Sequence, residues 1–310
     1  MTIQQLEYVV ALDNERNFVR AAQRTFVTQP TLTMQLRKLE DETGFQIFNR
    51  SKKPISPTIL GVRFIEKARQ IIREINELKA MVSHETESVQ GKFRIGIIPT
   101  MAPYLLPRFL PGFIQEHPET KLGIEEIQSE TVISGLKNDL IDVGIMATPV
   151  YEKQLREIPL FNEPFLALFP GGDAHLSETL IDPDDLLTDQ LLLLSEGHCF
   201  RNQTLNICKT DEEKHPRSFD YHSGSIETLK ELVMKGIGYT LVPELSVTNE
   251  MDSNKNLRRF KTPVPSREVS LVVHRSFSKE RFIEVLRDSI LKNIPAHFSK
   301  NKGFFRVKWR

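Results

Sequence analysis

The sequence is short of thiols, of long apolar runs and of net charge. Its 310 residues include two cysteines and one tryptophan, and two thiols cannot staple a chain of this length, so a disulfide scaffold is excluded. No apolar stretch approaches the ~20 residues of a membrane helix, the longest clusters being of the size of Leu191 to Leu194. The opening Met1-Thr2-Ile3-Gln4-Gln5-Leu6-Glu7 lacks the basic and apolar segments of a secretory leader. There is no GxxxxGK[ST] phosphate loop and no GxGxxG after a strand. The spacing of His198, Cys199 and Cys208 matches no common zinc site and leaves a fourth ligand missing. We therefore expect a soluble, cytoplasmic, nucleoid-associated protein with no metal, no cofactor and no membrane partner, whose thiols start out reduced. At 39% hydrophobic and 26% charged residues the composition is globular, and the length suits two or three domains.

The charges sum to zero, 41 Lys+Arg against 41 Asp+Glu, but their signs are unevenly spread. Between Arg16 and Arg69 eleven basic residues oppose four acids, a net of +7 that leaves −7 for the rest. A basic end on an acidic body suits a nucleic-acid partner, although such a bias also describes a solvated face. The same stretch is patterned. Ile3, Leu6, Val9 and Val10 outline a short amphipathic helix, and Asn17 caps a second that carries Phe18, Ala21 and Ala22 inward. Thr28-Gln29-Pro30 opens a third helix, stopped at Gly44, with Leu32, Leu36 and Leu39 as its inward stripe. Its other face offers Thr28, Gln29, Pro30, Thr31, Thr33, Met34 and Arg37. Phe48 to Ile55 reads as a hairpin with Arg50, Lys52 and Lys53 at its tip. Helix, turn, polar helix and basic wing together predict a winged helix-turn-helix on double-stranded DNA. A three-helix core fragment with a charged face is the structural alternative.

From Thr58 to about Glu87 a single helix is predicted, because Phe64, Ala68, Ile71, Ile75, Leu78 and Val82 recur at spacings of 4, 3, 4, 3 and 4. So narrow a seam needs a partner helix, and a second copy of the chain is the simplest one. After Gln90-Gly91-Lys92 the pattern changes to alternating strand-like and helix-like segments. Phe93 to Ile98, Leu122 to Ile124, Asp142 to Met146, Phe165 to Leu168, Leu191 to Leu194, Tyr239 to Leu241 and Val269 to Val273 predict strands. Helices are predicted near Leu105 to Glu116, Val132 to Leu136, Ile226 to Met234 and Phe282 to Leu291. The alternation predicts an α/β region with largely parallel sheets.

The run Asn17-Phe18, Ala21-Ala22, Thr28-Gln29-Pro30-Thr31-Leu32-Thr33, Leu36 to Glu40, Gly44 and Phe48-Asn49-Arg50 closely resembles the DNA-binding module of LysR-type transcriptional regulators. That resemblance implies residues 1–58 as a winged helix-turn-helix and 59–90 as a linker and dimerisation helix. It further implies 91–297 as a two-lobed regulatory domain of periplasmic-binding-protein type, commonly in a tetramer. Lobe I would take about 91–162 and 268–297, and lobe II about 163–267. Residues 298–310 fall outside the likeness. Their basic and aromatic side chains allow an auxiliary contact or, more simply, a frayed end.

The two cysteines admit two readings. As buried small hydrophobes they would be inert. As a redox pair, Cys199 would be activated by a neighbouring cation, His198 or Arg201, and Cys208 is the only other thiol able to trap its sulfenic acid. Were residues 200–208 helical, the two positions would stand ~13 Å apart, against the ~7 Å that a disulfide tolerates. Closing the bond would then force a refold. Gly197-His198-Cys199 with Arg201 and Cys208, and Ile98-Pro99-Thr100 with Pro103 to Pro107, are similar to the peroxide-sensing members of the LysR family. By that resemblance Cys199 is the peroxidatic thiol and Cys208 the resolving one. Thr100, His198 and Arg267 would hold hydrogen peroxide, with Ser129 where the family usually has threonine. Each also has a plainer role open to it: a helix cap for Thr100, a satisfied structural histidine for His198, a surface charge for Arg267.

The function expected is therefore a peroxide-responsive transcriptional activator and not an enzyme. Its partners would be promoter DNA, further copies of itself, RNA polymerase and a thiol reductant such as glutaredoxin or thioredoxin. A LysR-type regulator sensing a small metabolite between its lobes is the alternative, and a thiol peroxidase on a DNA anchor is a more distant one.

Overall fold

A computed structural model describes residues 1–83, 89–186, 190–209, 224–248, 253–299 and 303–310. It divides into two compact units, the first mainly Met1–Ser88 and the second mainly Val89–Arg310.

In the first unit, local sequence sets each helix boundary. Thr2 and Gln5 form a reciprocal capping box at the start of α1 (Ile3–Glu15), and Asn17 Oδ1 accepts from the Val19 and Arg20 amides to open α2 (Phe18–Arg24). Thr28 caps α3 (Gln29–Thr43), where Pro30 occupies the first turn and costs no hydrogen bond. The helix ends at Gly44, whose φ of +75° suits glycine. Val9, Leu12, Ala21, Ala22, Leu32, Leu36 and Leu39 close a common core. The wing is a two-stranded antiparallel ladder, β1 (Phe48–Asn49) with β2 (Ser56–Pro57), so its second strand begins just past the expected Ile55.

α4 (Ile59–Ser83) is the long helix. Its first turns bury Ile65 and Ala68. Farther along the expected seam, Ile71 is 41% exposed and Leu78 62% exposed. The side chain of Val82 and residues 84–87 lie outside the described residues.

The second unit is a mixed sheet, not a largely parallel one. β3 (Gly91–Ile97) pairs in parallel with β4 (Thr120–Glu126) and β5 (Val143–Thr148), as βαβ connections through α5 (Ala102–Glu116) and α6 (Ser129–Lys137) require. Two long strands break the rule. β6 (Leu155–Leu168) and β10 (Val264–His274) run antiparallel from Ser266↔Pro164 to His274↔Leu155. The far half of β6 pairs with β8 (Thr240–Pro243) and β9 (Leu257–Phe260), so β6 leaves one lobe and enters the other. β7 (Leu180–Ile181) completes that edge beside β9. The second lobe carries α7 (Cys199–Ile207) and α8 (Ile226–Met234), and the first also holds α9 (Glu280–Lys292).

Leu191 to Leu194 form no strand. Leu191 makes a single parallel bridge to Tyr239, and the four leucines instead fill the second lobe's core. Residues 303–310 do not fray either: β11 (Phe304–Arg306) adds to the sheet in parallel with β10. Among the described residues no helix is long and apolar enough to cross a membrane.

Candidate functional site

Cys199 opens α7 and is 2% exposed, with His198 as the residue before the helix. Gly197 leads into that turn at φ +86°, and a Cβ there would meet the Gln128 side chain at 2.6 Å. His198 is also buried, and its imidazole fits because position 224 is glycine, where a Cβ would stand 2.9 Å from Nε2. Burial pushes the His198 pKa down, which leaves the ring neutral. Arg201 donates to the Leu194 carbonyl at 2.5 Å. Neither neighbour in sequence is therefore the cation acting on the sulfur.

That cation is Arg267, sixty-eight positions away in sequence and completely buried. Burial drives the Cys199 thiol above its ordinary range; a hydrogen bond with the Ser129 hydroxyl, the charge of Arg267 and local backbone amides oppose the shift. Arg267 is fixed on several sides. Its Nε donates to Glu163 Oε2 at 2.8 Å, its Nη1 to Thr100 Oγ1 at 2.9 Å and its Nη2 to the Thr100 carbonyl at 3.0 Å. The Phe200 ring lies 5.5 Å from its guanidinium carbon. Glu163 is equally buried and accepts the Leu245 amide through Oε1 at 2.9 Å. Thr100, Ser129, Cys199, Glu163 and Arg267 thus meet at the junction of the lobes: β3, α6 and β10 bring them from one side, α7 and β6 from the other. Glu163 is the member that sequence reading missed; an acid flanked by the apolar residues Leu160, Phe161 and Phe165 to Leu168 of β6 was the signal.

Cys208 closes the same helix at the opposite end, inside the second lobe's apolar core. Burial pushes its thiol up to about 12, with the Tyr239 hydroxyl pulling modestly the other way. Both thiols are free in this structure. A cleft of about 540 Å³ lies in front of His198, lined among others by Pro99, Gln128, Thr131 and Ser225. It is bridged by Tyr104, whose hydroxyl donates to Glu227 Oε1 at 2.8 Å. Among the described residues no group of three or more His, Cys, Asp or Glu side chains is placed to hold a metal ion.

In the first unit, Thr28, Gln29, Pro30, Met34, Arg37, Lys52 and Lys53 are exposed, while Thr31, Thr33 and Arg50 are half-buried. Thr28 and Thr31 share a hydroxyl hydrogen bond of 2.8 Å that fixes the start of α3. Arg50 is held by Glu40 at 2.5 Å. Glu40 also accepts the Ile47 and Phe48 amides at 2.8 and 3.3 Å, so this buried carboxylate pins the root of the wing. Part of the basic excess is answered locally by acids just ahead of Arg16. Asp13 pairs with Arg16 and Arg69, and Glu15 with Arg20 and Arg24. Arg37 and Lys38 on α3, Lys52 and Lys53 at the wing tip, and Arg63 and Lys67 on α4 are exposed.

Comparison with known proteins places both units. Residues 3–62 match the bacterial regulatory helix-turn-helix of the lysR family, and residues 86–294 match the LysR substrate binding domain. The chain belongs to the LysR family. Regulators of this family are DNA-binding transcription factors rather than enzymes, and this protein is one of them. It is 34% identical over 305 residues to a hydrogen peroxide-inducible genes activator of Dickeya chrysanthemi, covering 97% of this chain and 98% of the relative. Over 305 residues it is also 35% identical to the DNA-binding transcriptional dual regulator OxyR of Escherichia coli K12, with the same coverage. A full-length OxyR variant from Pseudomonas aeruginosa superimposes with a TM-score of 0.84 at 33% identity, covering 97% of this chain and 98% of that one.

The residues expected to face DNA are exposed or half-buried on α3 and the wing. The residues expected around the thiol split: Thr100, Ser129 and Arg267 converge near Cys199, His198 lies between the thiol and the cleft, and Arg201 is turned toward Leu194.

Proposed function

We propose that this LysR-family protein is a peroxide-responsive transcriptional activator, switched by oxidation of Cys199 and closure of a Cys199–Cys208 disulfide. One observation carries this reading: the chain's only two thiols stand at opposite ends of one short helix, and a buried arginine and a serine hydroxyl act on the first of them. The thiolate sulfur of Cys199 attacks one oxygen of hydrogen peroxide. The O–O bond breaks, leaving a sulfenic acid and a hydroxide that takes up a proton. Cys208 then attacks the sulfenic sulfur, the S–O bond breaks, and the hydroxyl leaves as water with the proton from the Cys208 thiol. Thr100, Ser129, His198 and Arg267 hold the peroxide or its leaving oxygen, and Arg267 stabilises the thiolate. Because nine residues of helix separate the sulfurs by roughly 13 Å along the axis, the second step requires α7 to unwind.

The remaining parts follow from the same reading. Residues 1–58 bind promoter DNA: Thr28, Gln29, Pro30, Thr31, Thr33, Met34 and Arg37 enter the major groove, and Arg50, Lys52 and Lys53 contact phosphates. Residues 59–90 dimerise, and 91–297 form the regulatory domain, with lobe I over about 91–162 and 268–297 and lobe II over about 163–267. The protein works in the cytoplasm as a dimer or tetramer, contacts RNA polymerase, and is reset by a thiol reductant of the glutaredoxin or thioredoxin kind. Replacing Cys199 by serine should abolish induction of the target promoter by peroxide while leaving operator binding by the reduced form intact.

A second reading rests on the cleft of about 540 Å³ at His198, which is the size of a small-molecule site. There the ligand would be a metabolite and the cysteines incidental. Peroxide induction that survives in the Cys199→Ser variant would favour it.

A further inference from the structure

Residues 303–310 are built into the regulatory unit on two sides. On one side they join the first lobe. The Val307 amide donates to the Ser266 carbonyl at 2.8 Å, the Trp309 indole donates to the Ala147 carbonyl at 3.2 Å, and Trp309 is 5% exposed. Arg310 pairs with Glu130 of α6 at 2.5 Å and donates to the Val150 carbonyl at 2.7 Å. On the other side they meet the helix between the two cysteines. Asn202 Nδ2 donates to the Trp309 carbonyl at 3.0 Å, Gln203 Nε2 to the Val307 carbonyl at 2.9 Å, and Asn206 Nδ2 to the Lys308 carbonyl at 2.8 Å.

These three amides come from one face of α7, at positions related by three and four residues. They match consecutive carbonyls of an extended strand only while 202–206 stay helical. Unwinding that stretch removes the spacing, and at least part of the set must break. Gln203 is fully buried, so its donor would lose a partner without gaining water.

We propose that residues 303–310 act as a clasp on α7 that slows the second chemical step, disulfide closure by Cys208, and spares the first, oxidation of Cys199. The inference rests on the redox reading above and names the elements that govern its timing. The clasp grips residues 202–206, beyond the reacting sulfur, whereas Ser129 and Arg267 act on that sulfur directly. A sulfenic acid formed at Cys199 would therefore persist until the clasp lets go. Arg310 and Trp309 are positioning residues in this scheme, acting on the reaction through α7.

The two steps can be timed separately in the full-length reduced protein. Hydrogen peroxide is added, and samples are quenched at intervals with a dimedone probe for sulfenic acid and with an alkylating agent for free thiols, then read by mass. Two variants are compared with the full chain: one lacking residues 303–310, and Arg310→Ala, which loosens the anchor on Glu130 and leaves the buried tail in place. Without 303–310, closure should accelerate by roughly tenfold or more, since each lost hydrogen bond is worth a factor of several. Arg310→Ala should give a smaller acceleration of about threefold. In both, the rate of sulfenic acid formation should stay within about twofold of the full chain, which a general loosening of the fold would not preserve. Should the shortened chain fail to fold, Arg310→Ala alone decides. Closure that is unchanged or slower, with Cys199 oxidised at the normal rate, overturns the clasp and leaves the redox reading standing. A full chain in which Cys199 yields neither sulfenic acid nor disulfide overturns the redox reading itself, and the clasp with it.

Discussion

Burial raises the pKa of the Cys199 thiol, and Ser129 and Arg267 act against it, so most of the sulfur is protonated at neutral pH and the reactive fraction depends on those two partners. Ser129→Ala removes the hydrogen bond and keeps the charge. The rate of Cys199 oxidation at neutral pH should fall by about three- to tenfold, because each unit by which the thiol pKa rises costs a factor of ten in thiolate. The pH profile should move to higher pH by the same amount, as stopped-flow measurement would show. Cys208 lends itself to a stability test. Its folded pKa, about 12 against an ordinary 9.0, means the folded state keeps a proton that the unfolded chain releases. That stability is complete below pH ~9 and is lost as pH climbs toward ~12. Melting under reductant should therefore fall more steeply with pH across this window in the wild type than in Cys208→Ala, although the variant starts lower. Parallel slopes would remove Cys208 as the source. The two thiols were visible in the sequence as a pair, but the residues around Cys199 pointed to His198 or Arg201 as its cation, and only the resemblance named Arg267. A residue two positions along a helix points away from its starting side chain, while β10 delivers Arg267 from far along the chain to the same point.

At the scale of elements, α3 and the wing form the surface on which the DNA reading depends. Their caps, the Leu32-Leu36-Leu39 stripe and the Gly44 stop are all local signals, and the helices appear where those signals put them. The wing's root was less legible, since it depends on Glu40 reaching back to the Ile47 and Phe48 amides and to Arg50. If Lys52 and Lys53 each neutralise one phosphate, replacing both by alanine should reduce the slope of log affinity against log salt by about two, measured by fluorescence anisotropy on operator DNA. An unaltered slope would take the wing tip off the backbone. Arg37→Ala should instead change preference among operator variants; equal weakening on all of them would make Arg37 a phosphate contact. β11 marks the limit of local reading. Lys, Arg and Phe in alternation look like a loose end, and only the hydrogen-bonding edge of Val264 to Ser266 in β10, forty residues earlier in the chain, makes them a strand.

At the scale of the whole molecule, the regulatory unit owes its two lobes to β6 and β10, which exceed the usual strand length and pair antiparallel where alternation had suggested parallel order. Such crossings are set by which strand ends meet after the chain has gone around each lobe, and hydrophobic periodicity carries no record of that. The association state is easier to anticipate, because Ile71 and Leu78 continue a regular seam into solvent. Leu78→Asp should shift the protein toward monomer in sedimentation velocity and weaken operator binding without lowering the helix content of the first unit. A dimer of unchanged stability would place the interface elsewhere.

In the proposed switch, Cys199 and Cys208 become joined when peroxide arrives, at the expense of α7. The most direct measurement is the intact mass of the reduced full-length protein after one equivalent of hydrogen peroxide, followed by peptide mapping without reduction. Loss of two hydrogens and a single cross-linked peptide containing both cysteines are expected. Two unlinked thiols, or an oxygen retained on Cys199 with Cys208 still free after prolonged incubation, would contradict the switch.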